Sequence, residues 1–162
     1  MIPKEIEKAF NEQIKKELDS AYLYLSMAAY FEHENLEGMA HWMKKQAQEE
    51  VGHAMKFFEH ISERGGRVEL YALDEPKKDW SSPLEVFKHT YEHEQKVTAS
   101  INSLVELAKK LNDNASLVFL NWFVNEQIEE EANAQKILSL LERIKDNFAG
   151  IIMLDAELAK RE

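Results

Sequence analysis

Apolar residues recur every three or four positions through four long stretches of this 162-residue chain. That period stacks them on one face of a helix. In the first stretch, Pro3 to about His33, the stripe is Ile6, Phe10, Ile14, Ala21, Tyr24, Ala28 and Phe31, with proline as the opener. The short connection Glu34–Gly38 turns the chain back antiparallel into a second helix, roughly Met39 to Arg64, which Gly65 and Gly66 end. Arg67 to Ser81 has no helical period and contains Pro76, and Val68 to Leu73 alternates only weakly, as a short extended segment does. A loop this long inside a compact domain needs a role. Here it predicts a crossover along the bundle, which sets the third helix parallel to the second.

Ser82-Pro83-Leu84-Glu85 reads as a capping box that opens the third helix, which runs to about Leu111. Asn112-Asp113-Asn114 is a turn and cap cluster, and a fourth helix covers about Ala115 to Ile144. The shorter segment Phe148 to Arg161 carries Ile151, Ile152, Leu154 and Leu158. A fifth helix this apolar is expected to pack against neighbouring subunits. The expected architecture is all-α, one domain over residues 1–162: a four-helix bundle with one long crossover between helices two and three, plus a short fifth C-terminal helix.

The stripes are broken by acids where leucine would be expected. The second helix places Glu50 within the series Met43, Ala47, Ala54, Phe57 and Ile61, with His53 one turn further on the same face. The first helix places Glu17 in its stripe, the third has Glu94 between Tyr91 and Thr98, and the fourth has Gln127 and Glu130 amid Leu120, Phe123, Ala134 and Ile137. At about 1.5 Å of rise per residue, antiparallel packing brings these mid-helix positions into one layer. Four ionised carboxylates buried together without compensation would protonate instead. Two divalent cations offset their charge. One imidazole among carboxylates, with no thiolate, favours iron or manganese over structural zinc.

Composition narrows the classes further. A net charge of −10 argues against nucleic acid or an anionic membrane as partner and is compatible with cations. The absence of cysteine excludes disulfides, iron–sulfur clusters and thiolate zinc sites. The first residues have no apolar h-region and no run reaches membrane-spanning length, so a cytoplasmic location is expected. Glu49, Glu126 and Glu129 flank the core acids, and the run Glu129-Glu130-Glu131 is either a solvated acidic face or part of a further cation site. Tyr24 lies about two turns from Glu17 and is either a core tyrosine with a bonded hydroxyl or a redox partner of the metals. Trp122 reads as packing, and His33, His41, His60, His89 and His93 as surface or rim residues.

The chain resembles the bacterial-type non-haem ferritins, ferritin-like di-iron carboxylate proteins, over essentially its whole length. The resemblance is carried by Ala47-Gln48-Glu49-Glu50 leading to His53, by Tyr91-Glu92-His93-Glu94-Gln95, by Asn125 to Glu131, and by Asn11-Glu12-Gln13 with Glu17-Leu18, Ser20 and Tyr24. It implies that Glu17, Glu50 and His53 hold one ferroxidase iron with Glu50 bridging, and that Glu94 and Glu130 hold the second with Gln127 close by. It further implies a third iron site of Glu49, Glu126, Glu129 and Glu130, a tyrosine beside the centre at Tyr24, and a hollow shell of twenty-four subunits. Bacterioferritins carry a second Glu-x-x-His where this chain has Gln127-x-x-Glu130, and a haem-ligating Met where it has Val51, so no haem is expected. Rubrerythrins need Cys-x-x-Cys, which is absent. Mini-ferritins build their site between subunits.

The implied function is iron storage and detoxification: Fe2+ and O2 (or H2O2) as substrates of a ferroxidase, followed by deposition of a ferric mineral. Two alternatives belong to other classes. One is a non-catalytic metal-binding shell, and the other is a peroxide-consuming di-metal carboxylate enzyme.

Overall fold

The four periodic stretches form four long helices, and the apolar tail forms a fifth. A computed structural model describes all 162 residues and contains α1 (Lys4–His33), α2 (Glu37–Glu63), α3 (Pro83–Lys110), α4 (Asn114–Ile144) and α5 (Phe148–Leu158), with no strand. Helix ends follow local chemistry. Asn35 (φ 59°), Gly65 (φ 72°) and Asn112 (φ 53°) take the left-handed conformation just past α1, α2 and α3. After α2, Gly66 N–H donates to the Ile61 carbonyl and Gly65 N–H to the Ser62 carbonyl, at 2.9 and 3.1 Å. That is a Schellman closure, in which glycine takes a positive φ without strain. Ser82 caps α3 as its sequence predicts, accepting from Glu85 N–H at 3.2 Å. The return contact differs: the Glu85 carboxylate accepts from the Ser81 amide, one residue before the cap.

Ile2 N–H donates to the Arg64 carbonyl at 3.0 Å, so the start of α1 lies beside the end of α2 and the pair is antiparallel. The crossover then climbs α1, held by three polar side chains two turns apart. Asn11 bonds the Arg67 carbonyl (2.9 Å) and the Glu69 amide (2.8 Å), Asp19 accepts from Asp74 N–H (2.8 Å), and Ser26 donates to the Lys77 carbonyl (2.6 Å). Trp80 closes the loop, buried edge-on against Tyr30 and donating to His89 Nδ1 at 3.1 Å. The chain therefore re-enters the bundle at the far end, and α3 runs parallel to α2. No helix is long and apolar enough to cross a membrane.

The core is divided. One apolar cluster contains Met27, Phe31, Met39, Trp42, Phe87, Ile137 and Leu141, with Leu154 and Leu158 of α5. The other contains Ile6, Phe10, Ile14, Phe57, Ile61, Ile101, Leu104 and Phe123. Each fully buried Phe or Ile contributes about 1.5–3 kcal/mol. Those clusters hold rigid a polar layer that lies between them.

Candidate metal centre

Each long helix delivers its acid to that layer from mid-length, because the acid occupies a core phase that the flanking apolar residues bury. Glu17 (α1), Glu50 and His53 (α2), Glu94 (α3), and Gln127 and Glu130 (α4) are all at most 5% exposed. A carboxylate oxygen of Glu17, one of Glu50 and a ring nitrogen of His53 lie within 4.8 Å of one another. Carboxylate oxygens of Glu50, Glu94 and Glu130 meet the same spacing, so Glu50 belongs to both groups. His53 Nδ1 donates to Glu50 Oε2 at 3.2 Å and lies 3.8 Å from Glu17 Oε2.

So much buried negative charge is costly, and the titration behaviour records it. Burial, with Glu94 and Glu17 alongside, pushes Glu50 well above the ordinary carboxylate value despite the His53 bond. Burial raises Glu94 to about 7 against the bonds from Tyr24 and Gln127, and raises Glu130 to about 8 with help from Glu94. Burial opposes a charge on His53, yet Glu17 and Glu50 outweigh it and lift the imidazole to about 11. Burial also pushes Glu17 up, but His53, Glu50 and Gln13 together outweigh it and hold this carboxyl below its usual value. Glu17 Oε2 is buried with no hydrogen-bond partner. An orphaned carboxylate oxygen facing a shared carboxylate and an imidazole fits a cation held between them.

A collar of donors orients these carboxylates. Tyr24 donates its hydroxyl to Glu94 Oε1. Gln127 Nε2 lies 3.2 Å from Glu94 Oε2 and 3.1 Å from Thr98 Oγ1, so this amide sits against the Glu94 carboxylate. Gln13 donates to Glu17 Oε1 at 2.9 Å, and Ser100 donates to Gln13 Oε1 at 2.7 Å. Gln46 donates to Glu50 Oε1 at 3.1 Å and to Glu130 Oε2 at 2.8 Å.

The flanking acids separate. Glu126 joins His53 and Glu130 in a third close group, with Glu126 Oε1 3.8 Å from His53 Nε2. Glu49 lies outside the three close groups and is paired with Arg161 at 2.9 Å. Glu129 is exposed and also outside them. Trp122 is 39% exposed, its ring edge-on to His53 at 5.4 Å and covered by Lys56 Nζ at 4.4 Å.

Some histidines are not the rim residues their phase suggests. Ser20 Oγ donates to the Lys16 carbonyl, so His93 Nε2 donates to Ser20 Oγ at 2.8 Å, and its ring meets Tyr24 edge-on. Burial lowers His93 to about 4. His60 stacks on Phe119 with ring centroids 4.1 Å apart. Two further residues escape a search for core-phase acids. Gln46 is four positions before Glu50 and in phase with it, which was a readable signal. Arg161, contributed by the far end of the chain, left none.

Comparison with known proteins places this geometry in a family. The ferritin-like domain family matches residues 7–144. A bacterial non-heme ferritin from Bacteroides fragilis is 46% identical over 161 residues, which is 99% of this chain and all of that protein. One from Staphylococcus aureus is 39% identical over 99% of this chain and 97% of its own. Among solved structures, an open-pore ferritin from the hyperthermophilic archaeon Archaeoglobus fulgidus superposes with a TM-score of 0.99 at 49% identity, with both chains fully covered. A closed form of that ferritin made by site-directed mutagenesis also gives 0.99, at 50% identity, covering 100% of this chain and 99% of that one. The chain belongs to the ferritin family.

Proposed function

We propose that this protein stores iron, oxidising Fe2+ at the buried layer and passing Fe3+ to a mineral inside a hollow shell of about twenty-four copies. The observation that supports this most is the sharing of Glu50 between two close ligand groups, one completed by Glu17 and His53 and the other by Glu94 and Glu130. A bridging carboxylate suits two substrate ions at once. Together they supply the two electrons that, with two protons, carry dioxygen to hydrogen peroxide. The protein's part is to fix ligand geometry and charge in a dry site.

Loading the layer displaces protons from Glu50, Glu94 and Glu130, and the bonds from Tyr24, Gln13 and Gln46 keep the carboxylates aimed as they ionise. The third close group, His53 with Glu126 and Glu130, suits a further ion beside the pair. It leaves Glu49 and Glu129 outside. The net charge of −10 favours the approach of Fe2+ by its field.

An oxygen electrode tests the reading. Anaerobically loaded wild-type protein should consume dioxygen rapidly on mixing, and Glu50→Ala/His53→Ala should lose that phase by at least about a hundredfold. Equal rates in the two proteins would rule the assignment out.

A further inference from the structure

Beyond the end of α5 the chain folds back onto α2, and Arg161 makes the contact. Its guanidinium lies over the Trp42 ring, 4.3 Å from the centroid, and Nη1 donates to the Trp42 carbonyl at 3.0 Å. Nη2 donates to Gln46 Oε1 and to Glu49 Oε2, each at 2.9 Å. His41 Nε2 donates to the Arg161 carbonyl at 2.6 Å, which pins the backbone as well. The planar guanidinium is thus held by a ring face, a carbonyl, an amide and a carboxylate.

A guanidinium has no acceptor. Facing Arg161, the buried Gln46 amide must present its oxygen there and turn its nitrogen toward the metal layer. That nitrogen has two hydrogens, and they reach Glu50 Oε1 and Glu130 Oε2 at 3.1 and 2.8 Å. In the flipped orientation the amide oxygen would confront both carboxylate oxygens, and the nitrogen would confront a cation. We propose that Arg161 is a positioning residue of the centre: through Gln46 it sets the two carboxylates, Glu50 and Glu130, that join one close ligand group to the others. The inference rests on reading the layer as a divalent-cation centre. Because Leu154 and Leu158 seat α5 in the core, the position of that helix reaches the ligands through two hydrogen bonds in series.

The test uses the full chain and Co2+ alone, so that it does not depend on oxidation. Binding is followed by calorimetry and by the visible absorption of the bound ion. Arg161→Met keeps an unbranched side chain over Trp42 and removes every donor. Gln46→Leu removes the amide. Loss of a residue that orients ligands costs about 10–100-fold in metal affinity. Gln46→Leu should fall in that range, while Arg161→Met should lose a smaller factor and shift the absorption envelope. The double variant should bind no more weakly than Gln46→Leu alone, because the two residues act in series. Arg161→Lys, which returns one donor to Gln46 Oε1, should recover part of the loss. It also serves as the reporter if Arg161→Met does not fold.

Unchanged Co2+ affinity and absorption in Arg161→Met would overturn the proposal, even if its melting temperature fell, since that pattern describes a role in packing alone. Independent losses that multiply in the double variant would overturn the route through Gln46. Failure of the wild-type chain to bind Co2+ at all would instead remove the cation-centre reading, and the proposal with it.

Discussion

Glu94 and Glu130, raised to about 7 and about 8 chiefly by burial, share with Glu50 a proton load that an incoming dication must displace. Competition of this kind has a definite sign. Co2+ affinity should rise between pH 6 and pH 8.5, with protons released on binding, and titration calorimetry in buffers of different ionisation enthalpy measures both. A pH-independent affinity would contradict the protonated layer. Stability of the metal-free protein should run the other way. Carboxyls whose folded pKa is raised contribute stability that is present below the ordinary value of 4.5 and lost as pH rises through about 7 and about 8. Glu17 and the neighbouring His93, both held low, have the opposite sign, while His53, lifted to about 11, adds to the loss above its ordinary 6.5. The chelated protein should therefore melt lower at pH 8.5 than at pH 5.5, and added Zn2+ should narrow the gap.

Tyr24 offers a sharper test of one residue. Its hydroxyl donates to Glu94, so Tyr24→Phe should weaken cation binding by about tenfold. An unchanged isotherm would reduce Tyr24 to packing. Glu17, Glu50, Glu94 and Glu130 were legible in the sequence because a carboxylate in core phase conflicts with its neighbours. Gln46 occupied the same phase, but a neutral amide raises no question of charge, and its bond to Glu130 appears only when α2 and α4 are brought together.

At the scale of elements, α2 has Leu36 at its N-cap position and so no side-chain cap of its own. Its Met39 N–H instead donates to Asp155 Oδ1 of α5 at 2.8 Å, a cap supplied from 116 residues away. The approach is close enough that Gly38 is required. A Cβ there would lie 1.8 Å from the Asp155 carbonyl oxygen, which is backbone and cannot turn aside. Asp155→Ala should cost about 0.5–2 kcal/mol in urea unfolding, and Gly38→Ala should cost more, since it unseats α5. Lys145, between α4 and α5, adopts φ 52° and ψ −127°, a conformation that suits glycine. Lys145→Gly should stabilise the chain by about 1 kcal/mol, and a loss of stability would show that its side chain has a role. Helical periodicity located all five helices within a few residues, because burial enforces it along their whole length. It could not reveal a cap donated by a distant helix, nor the register of the crossover, which Asn11, Asp19 and Ser26 set by single bonds to its backbone.

At the scale of the whole molecule, α5 is divided between two environments. Leu154 and Leu158 complete the core of their own chain, while Phe148, Ile152 and Met153 are exposed at 75%, 44% and 73%. Burying those three against other copies is what shell assembly would accomplish, and Phe148→Glu/Met153→Glu should shift light scattering from a species of about twenty-four 18.9 kDa chains toward smaller ones. A wild-type chain that remained a monomer or dimer would remove the storage function, because one bundle has no room for a mineral. The bundle, its long crossover and the apolar fifth helix could all be read from hydrophobic pattern and loop length. The contact from Arg161 to Gln46 in the polar layer could not, since it joins positions that only the complete fold makes neighbours. The proposed function depends on a pair of ions sharing Glu50, and a soaked crystal tests for that pair directly. Crystals soaked with Fe2+ without oxygen and measured at the iron edge should show two anomalous peaks about 3.5–4 Å apart, one among Glu17, Glu50 and His53 and the other among Glu50, Glu94 and Glu130. A single peak elsewhere, or none between these side chains, would contradict the assignment.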